Sequence, residues 1–120
     1  MLYLMYGMTM NYPMVTAAKG LKHLPQDDSI TEEDLDLAMS HVNIEVKAGD
    51  IVLVRTGWFQ MYGAETDNDY NFASPGLSPS TAAWFGDKDV AAVGADNSAV
   101  ERWSNDEDYG LNFHKAMLRD

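Results

Sequence analysis

Two short apolar runs in this chain end in polar residues of the kinds that bind small molecules. Ile51–Val54 leads into Arg55-Thr56-Gly57-Trp58, and Val90–Val93 leads into Gly94-Ala95-Asp96-Asn97. Polar groups gathered where parallel strands stop face the crevice in which α/β proteins usually hold ligands. The histidines are His23, His41 and His114, and no two lie within helical or strand reach of each other. A metal site needs imidazoles and carboxylates in a cluster. The best-placed candidates are Asp96, at a strand end, and His114, on the last helix. Each has a plain alternative: Asp96 as a turn or cap residue, and His114 as a surface or half-buried helix histidine.

Other chemistries have little to stand on. Ser98 in Asp96-Asn97-Ser98-Ala99 lacks the flanking glycines of a nucleophile elbow. The glycines are scattered, so no phosphate-binding pattern forms. Cysteine is absent, which excludes disulfides, a thiolate nucleophile and Cys-ligated zinc. Asp67, Asp69 and Asn71 imitate the start of a calcium loop. Phe72 stands where its glycine belongs, however, and Ser78 where its bidentate glutamate would be.

The elements that must position these residues read clearly in the middle of the chain. Thr31 opens the best-defined helix, with Asp34 three residues on and Glu32, Glu33 and Asp34 at the positive end of the dipole. Leu35, Ala38, Met39 and Val42 follow at helical spacing and define a buried face. His41 falls in the last turn, where a cation is favourable. Ile44-Glu45-Val46 alternates like a short edge strand, Lys47–Asp50 is a turn, and Ile51–Arg55 is a buried strand by its β-branched run. Trp58, Phe59, Met61 and Tyr62 form an aromatic-rich cluster that is either core or a pocket wall.

Ser78 with Pro79 starts a second helix that Gly86 ends. It lies between the two apolar strands and makes a βαβ-like unit. Glu65–Gly76 reads as a polar loop. Val100–Gly110 is acidic and irregular, with Trp103 and Tyr109 as anchors, and Leu111–Arg119 reads as a final helix. Met1–Met10 reads as extended and methionine-rich, and Val15–Gly20 as a short element.

The 120 residues make a single domain, large enough for a core but small for an independent α/β fold. The formal net charge is −11, with −4 in residues 1–60 and −7 in residues 61–120. Such a surface repels phosphate backbones and anionic lipid, so the reading is no nucleic-acid and no membrane partner. The apolar start is too short for a span and carries no preceding positive charge, so the cytoplasm is the default location.

Several segments, in order, resemble the cyclase family that includes kynurenine formamidase (arylformamidase) and isatin hydrolase. They are Ala18–Leu21 with Leu24-Pro25, Ile30–Leu35, Lys47–Trp58, Pro75-Gly76-Leu77, Val90–Asp96 and His114–Leu118. The stretch from Lys47 to Trp58 is the sharpest match, and the resemblance covers roughly residues 15–118. It implies an α/β fold of the swivelling β/β/α type, with residues 1–120 as a partial domain. It also implies a divalent metal, zinc or manganese, and hydrolysis of a C–N bond in a small-molecule amide such as N-formylkynurenine.

On the matching positions, His114 is the family's late metal ligand or acid–base histidine and Asp96 a supporting residue at the substrate. Trp58 belongs to an aromatic substrate pocket that includes Trp84. The family's His-x-Gly-Thr-His-x-Asp segment and its late glutamate have no counterpart here. The expectation is therefore an internal fragment of a cyclase-family hydrolase, or alternatively a non-catalytic scaffold or binding domain derived from one. Open sheet edges in such a fragment favour a homo-oligomer.

Overall fold

The computed structural model describes residues 21, 23–62, 73–104 and 110–118. Within them the order is β1 (Ser29–Ile30), α1 (Glu32–Val42), β2 (Ile51–Val54), a 3₁₀ turn (Trp58–Met61), β3 (Ala73–Ser74) and β4 (Gly76–Leu77). Then come α2 (Thr81–Asp87), β5 (Ala92–Ala95), β6 (Trp103–Ser104) and α3 (Asn112–Met117). The readings of Met1–Met10, Val15–Gly20, the Asp67–Asn71 loop and Tyr109 fall outside the described residues.

The expected βαβ unit forms. β2 pairs in parallel with β5, Ile51 opposite Ala92 through Val54 opposite Ala95, and α2 lies between them in sequence. β1 pairs in parallel with β4, and β3 in antiparallel with β6. Glu101 extends the β1–β4 ribbon by a parallel bridge to Leu77. This mixture of helices and mostly parallel strand pairs is the expected α/β class.

Helix α1 starts as its sequence requires. The Asp34 N–H donates to Thr31 Oγ1 at 3.4 Å, and Asp34 Oδ2 accepts from the Thr31 N–H at 3.0 Å, closing a capping box. Leu35 and Ala38 are buried on its inner face, while Met39 pads the core from the side. The helix ends with Asn43 in the left-handed region at φ 53° and the Ile44 N–H returning to Met39 O at 3.1 Å. That return explains why Ile44–Val46 forms no strand: it completes the helix terminus, and Val46 is buried from an irregular segment.

Two other boundaries shift. α2 begins at Thr81 rather than at Ser78, because the Ser78 N–H is still bonded to Ile30 O at 2.8 Å as an extension of β4. β5 begins at Ala92, two residues beyond the expected Val90. After α2 the Asp89 N–H bonds back to Gly86 O and the Val90 N–H to Phe85 O, and the ladder opens only where the Ala91 N–H meets Asp50 O at 2.8 Å.

The core gathers Leu24, Ile30, Leu35, Ala38, Val46, Val52, Val54, Leu77, Phe85 and Phe113. Phe85 is fully buried and meets Phe113 edge-on at 6.0 Å, which fastens α3 to α2. Burial of one such ring contributes roughly 1.5–3 kcal/mol. Trp84 packs edge-on to Phe85 at 5.0 Å, donates its indole N–H to Asp36 at 2.9 Å and carries the Lys88 ammonium over its ring. These contacts make Trp84 a brace between α2 and α1.

Candidate active site

Two constellations of chemistry-bearing side chains emerge at the strand ends. The first joins β2 to β5. Asp96, directly after β5, accepts from the Thr56 N–H at 2.5 Å and the Thr56 hydroxyl at 2.7 Å through Oδ1, and from the Gly57 N–H at 3.0 Å through Oδ2. Gly57 sits at φ 75°, a left-handed conformation that glycine adopts without a Cβ penalty and that turns its N–H onto the carboxylate. The Trp58 N–H then donates to Thr56 Oγ1 at 3.1 Å. Asp96 thus holds together the two loops that leave the parallel strands.

Trp58 follows this clasp in the chain, but its indole is turned inward, 4% exposed, with its edge toward the His23 ring at 6.3 Å. Phe59 and Tyr62, from the same cluster, stack on each other at 5.7 Å and are exposed. The aromatic run expected as either core or pocket wall is therefore divided, with Trp58 in the interior and Phe59 and Tyr62 at the surface.

The second constellation centres on Glu101 and His114. Glu101 is 3% exposed, and its carboxylate lies against the first turn of α3. Oε2 accepts from the Phe113 N–H at 3.1 Å, and Oε1 accepts from the His114 N–H at 3.2 Å. Oε1 also meets the His114 ring at Nδ1, 2.6 Å away. A carboxylate at hydrogen-bond distance from Nδ1 is placed to influence which ring nitrogen carries the proton. The imidazole is 38% exposed, enough for its outer edge to meet a ligand.

His114 and Asp96 are candidates by sequence, whereas Glu101 and the part played by Thr56 emerge only from the structure. Hydrogen bonds bring His114 to Glu101 and Asp96 to Thr56, in two separate groups. Glu101 stands in an acidic stretch that reads as solvated surface, and only the bridge to Leu77 reveals its burial. A threonine-glycine pair after one strand and an aspartate after its parallel neighbour was a usable signal for the first clasp.

A catalytic zinc site takes three protein donors. Among the described residues no group of three His, Cys, Asp or Glu side chains could hold a metal ion. Asp96 is committed to Thr56 and Gly57, and Glu101 to α3 and the His114 ring. The described residues alone do not fit the divalent metal that the resemblance implies. Among them, too, no helix is long and apolar enough to cross a membrane.

Comparison with known proteins gives this arrangement a context. The family model described as "Putative cyclase" matches residues 11–102. Among solved structures, the chain is similar to a novel cyclase at 27% identity and TM-score 0.67, over 77% of this chain and 32% of that one. It is also similar to isatin hydrolase A from Ralstonia solanacearum at 21% identity and TM-score 0.61, over 77% of this chain and 37% of that one. The second likeness is one of fold alone. This chain spans about a third of the length of these structures. No match is found among curated proteins.

Proposed function

The chain belongs to the cyclase family, and we propose that it is the His114-bearing portion of an arylformamidase-like hydrolase of C–N bonds. The observation that carries this reading is the His114–Glu101 pair: a half-exposed imidazole, held at Nδ1 by a buried carboxylate 2.6 Å away. That arrangement suits proton transfer at Nε2. His114 takes a proton from water as the water oxygen bonds to the formyl carbon. It returns the proton to nitrogen as the C–N bond breaks, giving formate and an amine. Asp96 keeps the β2 and β5 loops together beside the substrate, and Trp58 supports that loop from beneath.

The partial-chain reading rests on coverage, since the chain spans about a third of the solved structures it resembles. Zinc or manganese would then be held by donors contributed outside the described residues. The expected partners are a small-molecule amide and further copies of the protein.

The experiment is hydrolysis of N-formylkynurenine, with isatin as the cyclic amide, by the protein with the family's remaining segments restored and zinc or manganese supplied. Hydrolysis of either supports the proposal; no C–N hydrolysis with either metal contradicts it. A second reading is a non-catalytic scaffold or binding domain, in which the Asp96–Thr56 clasp only ties the two strand ends together.

A further inference from the structure

Glu101 is held more tightly than a helix cap requires. The residue before it, Val100, has φ 63°, in the left-handed region that a β-branched side chain rarely enters. Across it the Glu101 N–H bonds back to Ala99 O at 2.6 Å, which closes a three-residue γ-turn of the strained, positive-φ kind. Asn97 fixes this turn from within. Its Oδ1 accepts from the Val100 N–H at 2.8 Å, while its Nδ2 donates to Pro75 O at 2.6 Å and to Glu101 O at 3.2 Å.

Leu77 grips both flanks, donating its N–H to Val100 O at 3.1 Å and accepting from the Arg102 N–H at 3.0 Å. Gly76 leaves the room this needs: a Cβ there would come within 2.5 Å of both the Glu101 backbone and Asn97 Nδ2. Strained backbone of this kind persists only where its surroundings over-determine it, and such places concentrate at functional sites.

The strained turn delivers a carboxylate to one ring nitrogen. Capping α3 would occupy Glu101 with the Phe113 and His114 amides alone, and any residue at position 114 would supply the second of these. The 2.6 Å contact to Nδ1 is additional, and it sets the ring's chemistry. A free neutral imidazole favours its proton on Nε2. A carboxylate accepting from Nδ1 reverses that preference, as it does for the histidines of metal sites and hydrolase triads.

We propose that Glu101 is a positioning residue that locks His114 as the Nδ1–H tautomer, so that Nε2 is the electron-pair donor of the site. This rests on the reading of His114 as the reacting histidine, but its test does not. The full chain is labelled with ¹⁵N, and long-range ¹H–¹⁵N spectra of the histidine rings are recorded at a pH where they are neutral, with His114→Gln for assignment. The expected result is a protonated Nδ1 and a bare Nε2 in His114, against a predominantly Nε2-protonated ring in the exposed His41.

In Glu101→Gln, whose side chain still fills the space, the His114 pattern should move toward that of His41. A predominantly Nε2-protonated His114 in the wild type overturns the proposal. So does an unchanged His114 pattern in folded Glu101→Gln. Should that variant not fold, the wild-type spectrum decides by itself. An Nδ1–H ring in a protein without hydrolytic activity would remove the functional reading and leave this one standing.

Discussion

Asp96 holds Thr56 across the open ends of two parallel strands, although forty positions separate them in the chain. Both carboxylate oxygens are engaged, Oδ1 by the fully buried Thr56 and Oδ2 by the Gly57 N–H. Removing the carboxylate would leave buried N–H and O–H donors without partners, which costs more than the bonds themselves contribute. Asp96→Ala is expected to lower stability by about 2–4 kcal/mol, with Asp96→Asn nearer 1–2 kcal/mol. Urea unfolding checks this. A loss below ~0.5 kcal/mol in Asp96→Ala would show that the clasp contributes little to folding.

Thr31 makes the reciprocal cap of α1 with Asp34. Thr31→Ala should cost about 1 kcal/mol and Thr31→Ser much less, since serine caps as well as threonine. Equal losses in the two variants would mean that the hydroxyl is not what matters.

Val100 occupies a conformation in which a side chain is a burden. Val100→Gly relieves about 1–2 kcal/mol of left-handed strain and gives up about 0.5–1 kcal/mol of chain entropy. With some packing lost as well, stability should change by less than ~1 kcal/mol. Val52→Gly, in the interior of β2, should cost roughly 2–5 kcal/mol by comparison. Similar losses at both positions would argue that Val100 is not strained in solution.

Gly76 borders the Glu101 backbone with no space for a methyl group. Gly76→Ala should destabilise by about 1–3 kcal/mol and displace the 97–101 turn. Amide chemical shifts of Asn97 and Glu101 report that displacement, and unchanged shifts there would place the added methyl somewhere the geometry does not allow.

The βαβ unit, the capped helix over 32–42 and the polar strand ends were legible because each rests on local signals: a β-branched run, a Thr31/Asp34 box, an aspartate after a strand. What stayed hidden depends on contacts distant in sequence. Glu101 follows Val100 in a stretch whose acidity suggests solvent, and its burial comes from pairing with Leu77 and closure of α3 over it. Val90 is as β-prone as Val93, so the start of β5 is not set by local signals. Only the return of the Val90 N–H to Phe85 O keeps that residue in the helix terminus. Ile44–Val46 alternates like a strand, yet the Asn43 turn uses its first N–H.

The proposed hydrolysis depends on His114. The most direct measurement is the rate of N-formylkynurenine hydrolysis by the protein with its family segments restored, compared with His114→Ala carrying an unchanged circular dichroism spectrum. The expected result is a loss of about 10²–10⁴-fold in kcat, as for removal of a proton-transferring side chain. A variant that hydrolyses the substrate at the wild-type rate would contradict any role for His114 in the reaction.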